Sequence, residues 1–127
     1  MSNPEENKRI VVDFLDLIFN QHKVDEGMDA YLGDTYTQHN PGVADGPEAF
    51  RAFFKSFFAD RPTSQFNVQR VFCEGDYVTV HAHWVEHPDD GGSAVMDIFR
   101  LENGRIMEHW DVMQPVPEEM AHTNTMF

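Results

Sequence analysis

Residues 95–114 read VMDIFRLENGRIMEHWDVMQ. Asn103-Gly104 readily supplies the positive φ that a tight hairpin needs, so the segment predicts two antiparallel strands, Ser93–Glu102 and Arg105–Gln114. Side chains alternate along a strand. Val95, Asp97, Phe99 and Leu101 therefore share one face, and three of the four are apolar. Asp97 is expected to point inward with them. A carboxylate in an apolar wall is costly unless it is hydrogen-bonded or protonated; burial raises its pKa, and such acids cluster at functional sites. On the second arm, His109 and Asp111 share a parity with Met107 and Met113, while Ile106, Trp110 and Val112 share the other. Both faces are partly apolar, so one is expected to line a core or pocket and the other to meet a partner subunit. A bulge near His109-Trp110 would change which side chains point in.

Upstream, the same period of two predicts strands over Phe66–Cys73 and Tyr77–Glu86, joined at Glu74-Gly75-Asp76 and closed by the turn HPDDGG. Before the Asp60-Arg61-Pro62 breaker the period is helical. Asn3-Pro4-Glu5-Glu6 is a helix start, with a capping Asn, a Pro in the first turn and acids at the positive end of the dipole. That first helix is expected from about Pro4 to Gln21, a second over Val24–Leu32 and a third over Gly46–Phe58. The segment from Asp34 to Gly42 reads as a short extended piece broken by Pro41 and Gly42. The expected architecture is α+β: three N-terminal helices on one face of a curved, four-strand antiparallel meander. The whole chain, 1–127, is read as a single domain with 115–127 as an extended C-terminal tail, docked over the pocket mouth or a second subunit.

Composition narrows the function classes. A net charge of −13 argues against nucleic acid or an anionic membrane as partner, since both are polyanions. No apolar run approaches a membrane span, and the polar N-terminus lacks the apolar core of a signal peptide. A lone Cys73 excludes an internal disulfide and fits a reducing cytosol; Glu74 and Asp76 beside it would raise its thiol pKa and make it a poor nucleophile. Eleven Phe, three Tyr and two Trp are enough to build a core around an aromatic-lined cavity. No phosphate-binding Gly-rich loop or G-x-S-x-G elbow is present.

The remaining candidates are polar. His81 and His83 share a face of their strand at a spacing that can bind a metal, or serve as hydrogen-bonded structural histidines; no metal is expected. His39 and Asn40 precede Pro41-Gly42 and either face the cavity mouth or organise the turn. Phe50, Phe53, Phe54, Phe57 and Phe58 lie at helical spacing, and Phe54 is taken as a contact for an apolar ligand.

The helix–helix–helix–meander order, the YTQHNPG segment and the pattern D-x-F-R-x-x-N-G-R-I-x-E-H-W-D resemble the nuclear transport factor 2-like superfamily. Within it the chain is similar to the SnoaL-like polyketide cyclase group over nearly its whole length. The resemblance implies a cone of bent sheet closed by helices, a deep apolar pocket, and a homodimer through the sheet's outer face. In such cyclases an Asp on the last strand acts as acid/base in an aldol ring closure, and that position matches Asp111; the supporting residue a strand earlier is a His there and matches Asp97 here. Asp97-Ile98-Phe99-Arg100 also resembles the D-x-F-R segment of ketosteroid isomerase, which keeps a carboxylic acid neutral to donate a hydrogen bond. The isomerase's base matches Asn40, and its Tyr falls near Phe14 or Leu15, which argues against steroid isomerisation.

The expected function is cofactor-free acid/base chemistry on a carbonyl compound, of cyclase, aldol-lyase or isomerase type. His39 or Asp111 would remove a proton next to the carbonyl. Asp97, protonated or shared with His83, would stabilise the enolate. Asn40, His81, His109, Trp110 and Phe54 would bind substrate. A non-catalytic ligand-binding module and a dimerisation module of the same fold are the alternatives.

Overall fold

The computed structural model describes residues 3–127. Asn3 caps α1 (Pro4–Leu15), its Oδ1 accepting from Glu6 N at 3.2 Å. The helix expected to reach Gln21 widens after Leu15 into a π turn, Asp16–Asn20. Asn20 accounts for it: its amide pairs with the backbone of Phe66, donating to the carbonyl at 3.0 Å and accepting from the N–H at 2.7 Å. A side chain thus acts as a strand partner, and the wider turn directs neighbouring Phe19 among the core aromatics. Helix α2 (Val24–Tyr31) packs against this turn at Gly27, where a Cβ would stand 2.4 Å from Ile18 Cγ1. Helix α3 (Pro47–Asp60) starts after Gly46, whose φ of +94° suits glycine.

The architecture is α+β, as the sequence predicts, but the sheet has five strands. In addition to β2 (Gln65–Glu74), β3 (Tyr77–Val85), β4 (Ser93–Glu102) and β5 (Arg105–Pro115), the start of the piece read as short and extended belongs to a fifth strand, β1 (Leu32–Gln38), parallel to β5. Strand order is β1-β5-β4-β3-β2, an open mixed sheet. Of β1 only Leu32 and Tyr36 are buried, so a count of alternating apolar residues passes over it. The core lies between the sheet and the helices, with Val11 and Phe14 of α1, Ile18 of the π turn and Phe50 of α3 in one buried cluster with Val78, Val80 and Phe99.

Strand β4 alternates without interruption, burying Val95, Asp97, Phe99 and Leu101. Strand β5 does not. Leu101 pairs with Ile106 and Arg100 with Glu108, which leaves Met107 as an extra residue. Ile106 and His109 are both buried although three apart. The bulge therefore sits before His109, and strict parity, which grouped Met107 with His109, is corrected there. Residues 116–127 form no regular element. Their end docks on β3, where the Phe127 ring stacks on His83 at 4.2 Å and on His81 at 5.9 Å. Among the described residues no helix is long and apolar enough to cross a membrane.

Candidate active site

A cavity of about 230 Å³ lies between the sheet, the end of α1 with the π turn, and α3. Its walls are aromatic, with Phe14, Phe19, Phe50, Phe54, Trp84 and Phe99 among them; Tyr36, Gln38, Asn40, Glu86, Asp97, His109 and Asp111 supply the polar groups. Strand pairing assembles that polar group, since Asp97 stands opposite Asp111 and Phe99 opposite His109.

Asp97 is 4% exposed and His109 7%. Asp97 Oδ1 and His109 Nε2 are 2.7 Å apart, and His109 Nδ1 lies 2.7 Å from Gln38 Oε1. The orientation of the Gln38 amide is set independently, because its oxygen also accepts from the Asn40 backbone N–H at 3.0 Å. An amide oxygen only accepts, so Nδ1 must carry a proton. The contact with Asp97 then holds a single further proton, on the carboxyl or on Nε2. Burial pushes the Asp97 carboxyl above its ordinary range, against the opposing pull of His109. Burial is the larger of the two influences, so Asp97 keeps its proton to higher pH than a free Asp does. Its second oxygen, Oδ2, is buried without a partner among the described residues.

Asp111 is held differently. Asn40 Nδ2 lies 2.9 Å from both of its oxygens, while Asn40 Oδ1 accepts from Gly42 N at 2.7 Å and so fixes the amide. Asp111 Oδ2 is 3.9 Å from His109 Nε2. Tyr36 completes the group. It is buried, its ring lies nearly parallel to His109 at 6.4 Å, and burial followed by the nearby Asp97 charge drives its hydroxyl pKa well up.

Of the residues expected at the site, Asp97, Asp111, Asn40, His109 and Phe54 line one cavity. Four do not. His39 bonds Glu108 at 2.7 Å and stacks on Trp110 at 4.8 Å, both outside the cavity lining. His83 bonds the Gly91 carbonyl at 2.8 Å and His81 meets Arg70 at 3.1 Å. Asp97, expected to share its proton with His83, meets His109 instead. Period two explains the place of His39: Tyr36, Gln38 and Asn40 share a face of β1 and its extension, and His39 has the opposite parity. Reading 36–40 as a strand identifies Tyr36 and Gln38, both absent from the sequence candidates.

Asp97, His109 and Asp111 are also the residues that could hold a metal, each offering one ligand atom within 4.8 Å of the others. Ligation would take His109 Nε2 away from Asp97, since both ring nitrogens are engaged.

The model of the SnoaL-like domain matches residues 11–109. The chain belongs to this family. No curated protein matches it. Among solved structures it is similar to a candidate polyketide cyclase from Acidithiobacillus ferrooxidans, with 22% identity, 89% of this chain and 91% of that one covered, and a TM-score of 0.75. TsrD from Streptomyces laurentii shares 22% identity over 89% of this SnoaL-like chain and 91% of its own, at a TM-score of 0.71. IdmH from Streptomyces antibioticus, itself named as a candidate polyketide cyclase, gives 20%, 80%, 88% and 0.64 in the same terms. At these identities the likeness is one of fold.

Proposed function

We propose that this SnoaL-like protein is a cofactor-free enzyme that enolises a carbonyl compound and carries the enolate into an aldol-type ring closure. The observation that supports this reading is a pair of carboxyl groups in unlike surroundings at one end of an aromatic cavity. Asp97 shares one proton with His109 in an apolar wall, and Asp111 is held by an amide as an acceptor. Unlike environments divide acid from base between two carboxyls.

In this reading Asp111, aimed by Asn40, takes the proton next to the carbonyl. The Tyr36 hydroxyl donates to the developing enolate oxygen, where water is excluded and a fixed donor is most effective. The enolate carbon forms the new C–C bond to a second carbonyl of the same molecule. The resulting alkoxide takes the proton shared by Asp97 and His109, and Asp111 returns its own proton to that pair. His39, His81, His83 and Trp110 have no part, since none lines the cavity.

The first half-reaction is testable without the natural substrate. 1-Tetralone in D₂O should exchange its enolisable protons faster with the protein than without it, followed by proton NMR. Asp111→Asn should lower that catalysed rate by roughly 10²–10⁴-fold, the range for a positioned general base. Exchange at the buffer rate with the parent protein, despite measured binding, would return the chain to the class of ligand-binding modules.

A further inference from the structure

We infer that the ligand of this cavity is a molecule of one or two fused rings bearing no negative charge. The inference rests on the carbonyl reading above for its choice of probe, and on the cavity itself for its content.

Charge is the first argument. Glu86, Asp97 and Asp111 all line the cavity. The chain has nine Lys and Arg, all within the described residues, and none of them lines it. Arg61 comes near, but from outside: its Nε meets Glu86 Oε1 at 3.4 Å while its guanidinium lies over the Phe57 ring at 4.2 Å. Two of the polar donors within are committed, Asn40 Nδ2 to Asp111 and His109 Nδ1 to Gln38, and the Tyr36 hydroxyl that also lines the cavity carries no charge. Asp97 Oδ2 already lacks a donor. A carboxylate, sulfate or phosphate placed here would lose its water and meet no cation in return. Recognition of such groups ordinarily uses Arg or Lys.

Size is the second argument. The cavity of about 230 Å³ is larger than the roughly 150 Å³ pocket that admits a benzene ring. It falls below the ~300–1,000 Å³ typical of sites for drug-sized ligands. Rings also suit the walls, where Phe19 meets Phe54 edge-on at 4.9 Å and Trp84 edge-on at 5.8 Å.

Three probes separate the arguments: 1-tetralone, a tetralone carrying a ring carboxylate, and the tricyclic ketone anthrone. Binding is read by NMR titration at pH 7 and about 0.15 M salt, where surface charges are screened beyond roughly 8 Å. 1-Tetralone should shift the resonances of Phe54 and Trp84 saturably. The carboxylate should bind at least ten-fold more weakly, and so should anthrone. Glu86→Gln should narrow the gap between neutral and charged probes. No binding of 1-tetralone at millimolar concentration overturns the inference. Equal binding of the carboxylate or of anthrone does so too, as does a gap that Glu86→Gln leaves unmoved. The two readings fail separately: 1-tetralone that binds without exchange defeats enolisation alone, and a carboxylate that binds and exchanges as well as 1-tetralone defeats the ligand class alone.

Discussion

A single proton between Asp97 and His109 makes the site sensitive to pH, and the sign follows from burial. The carboxyl of Asp97 is pushed up in the folded chain relative to the ~3.9 of a free Asp. Between those two pKa values the folded state holds a proton that the unfolded state has lost. This contribution to stability is therefore fully present below the unfolded value and disappears as pH rises through the folded one. Asp97→Asn cannot ionise. The melting temperature of that variant relative to the parent should rise from pH 4 to pH 7, measured by differential scanning calorimetry; a constant difference would place Asp97 among ordinary carboxylates. Tyr36→Phe tests a different group. Losing one fixed donor to an oxyanion costs roughly 10²–10³-fold in rate, so 1-tetralone exchange should fall by about that factor while binding stays within a few-fold. Asp97 was legible from sequence because three apolar neighbours share its parity. Tyr36 was not, because β1 buries too little to announce itself and His39 offered more familiar chemistry.

At the scale of elements, backbone irregularities position the cavity groups. The π turn directs Phe19 among the core aromatics and lets Asn20 hold β2. Hydrophobic spacing located the first helix but not its change of pitch, which depends on one amide reaching a strand 46 residues away. The fit of α2 against this turn is tight. Gly27→Ala would put a methyl 2.4 Å from Ile18 Cγ1, and Ile18 is fully buried. Overpacking of this kind costs about 1–3 kcal/mol, readable as a lowered urea midpoint with an unchanged slope. A midpoint equal to that of the parent would mean that the two elements can separate at little cost. The β4–β5 hairpin was legible because Asn103-Gly104 marks it: Asn103 has φ +50° and Gly104 +77°. The bulge on β5 was not, since nothing in the local composition distinguishes Met107 from a regular strand residue.

For the whole molecule, the helices cover one face of the sheet and leave apolar groups on the other. Met96 is 40% exposed, Ile98 37% and Val112 70%, at adjoining positions of β4 and β5. Scattered apolar residues are normal on a surface, whereas a contiguous patch on a sheet marks an interaction site. We propose that two copies pair through this face. Light scattering at micromolar concentration should give twice the chain mass, and Val112→Lys should halve it; a monomeric parent at that concentration would refute the pairing. The order of helices and strands, rather than any catalytic motif, made this face legible. The extra residue on β5 bears on descent. A gene copy lacking the codon for Met107 would regain regular alternation from Ile106 through Glu108 to His109, with the acids still turned inward. Loss of Trp110 would instead carry Asp111 to the opposite face. The strand can thus inherit a change of length at one position and keep its chemistry, while three residues later the same change would erase it.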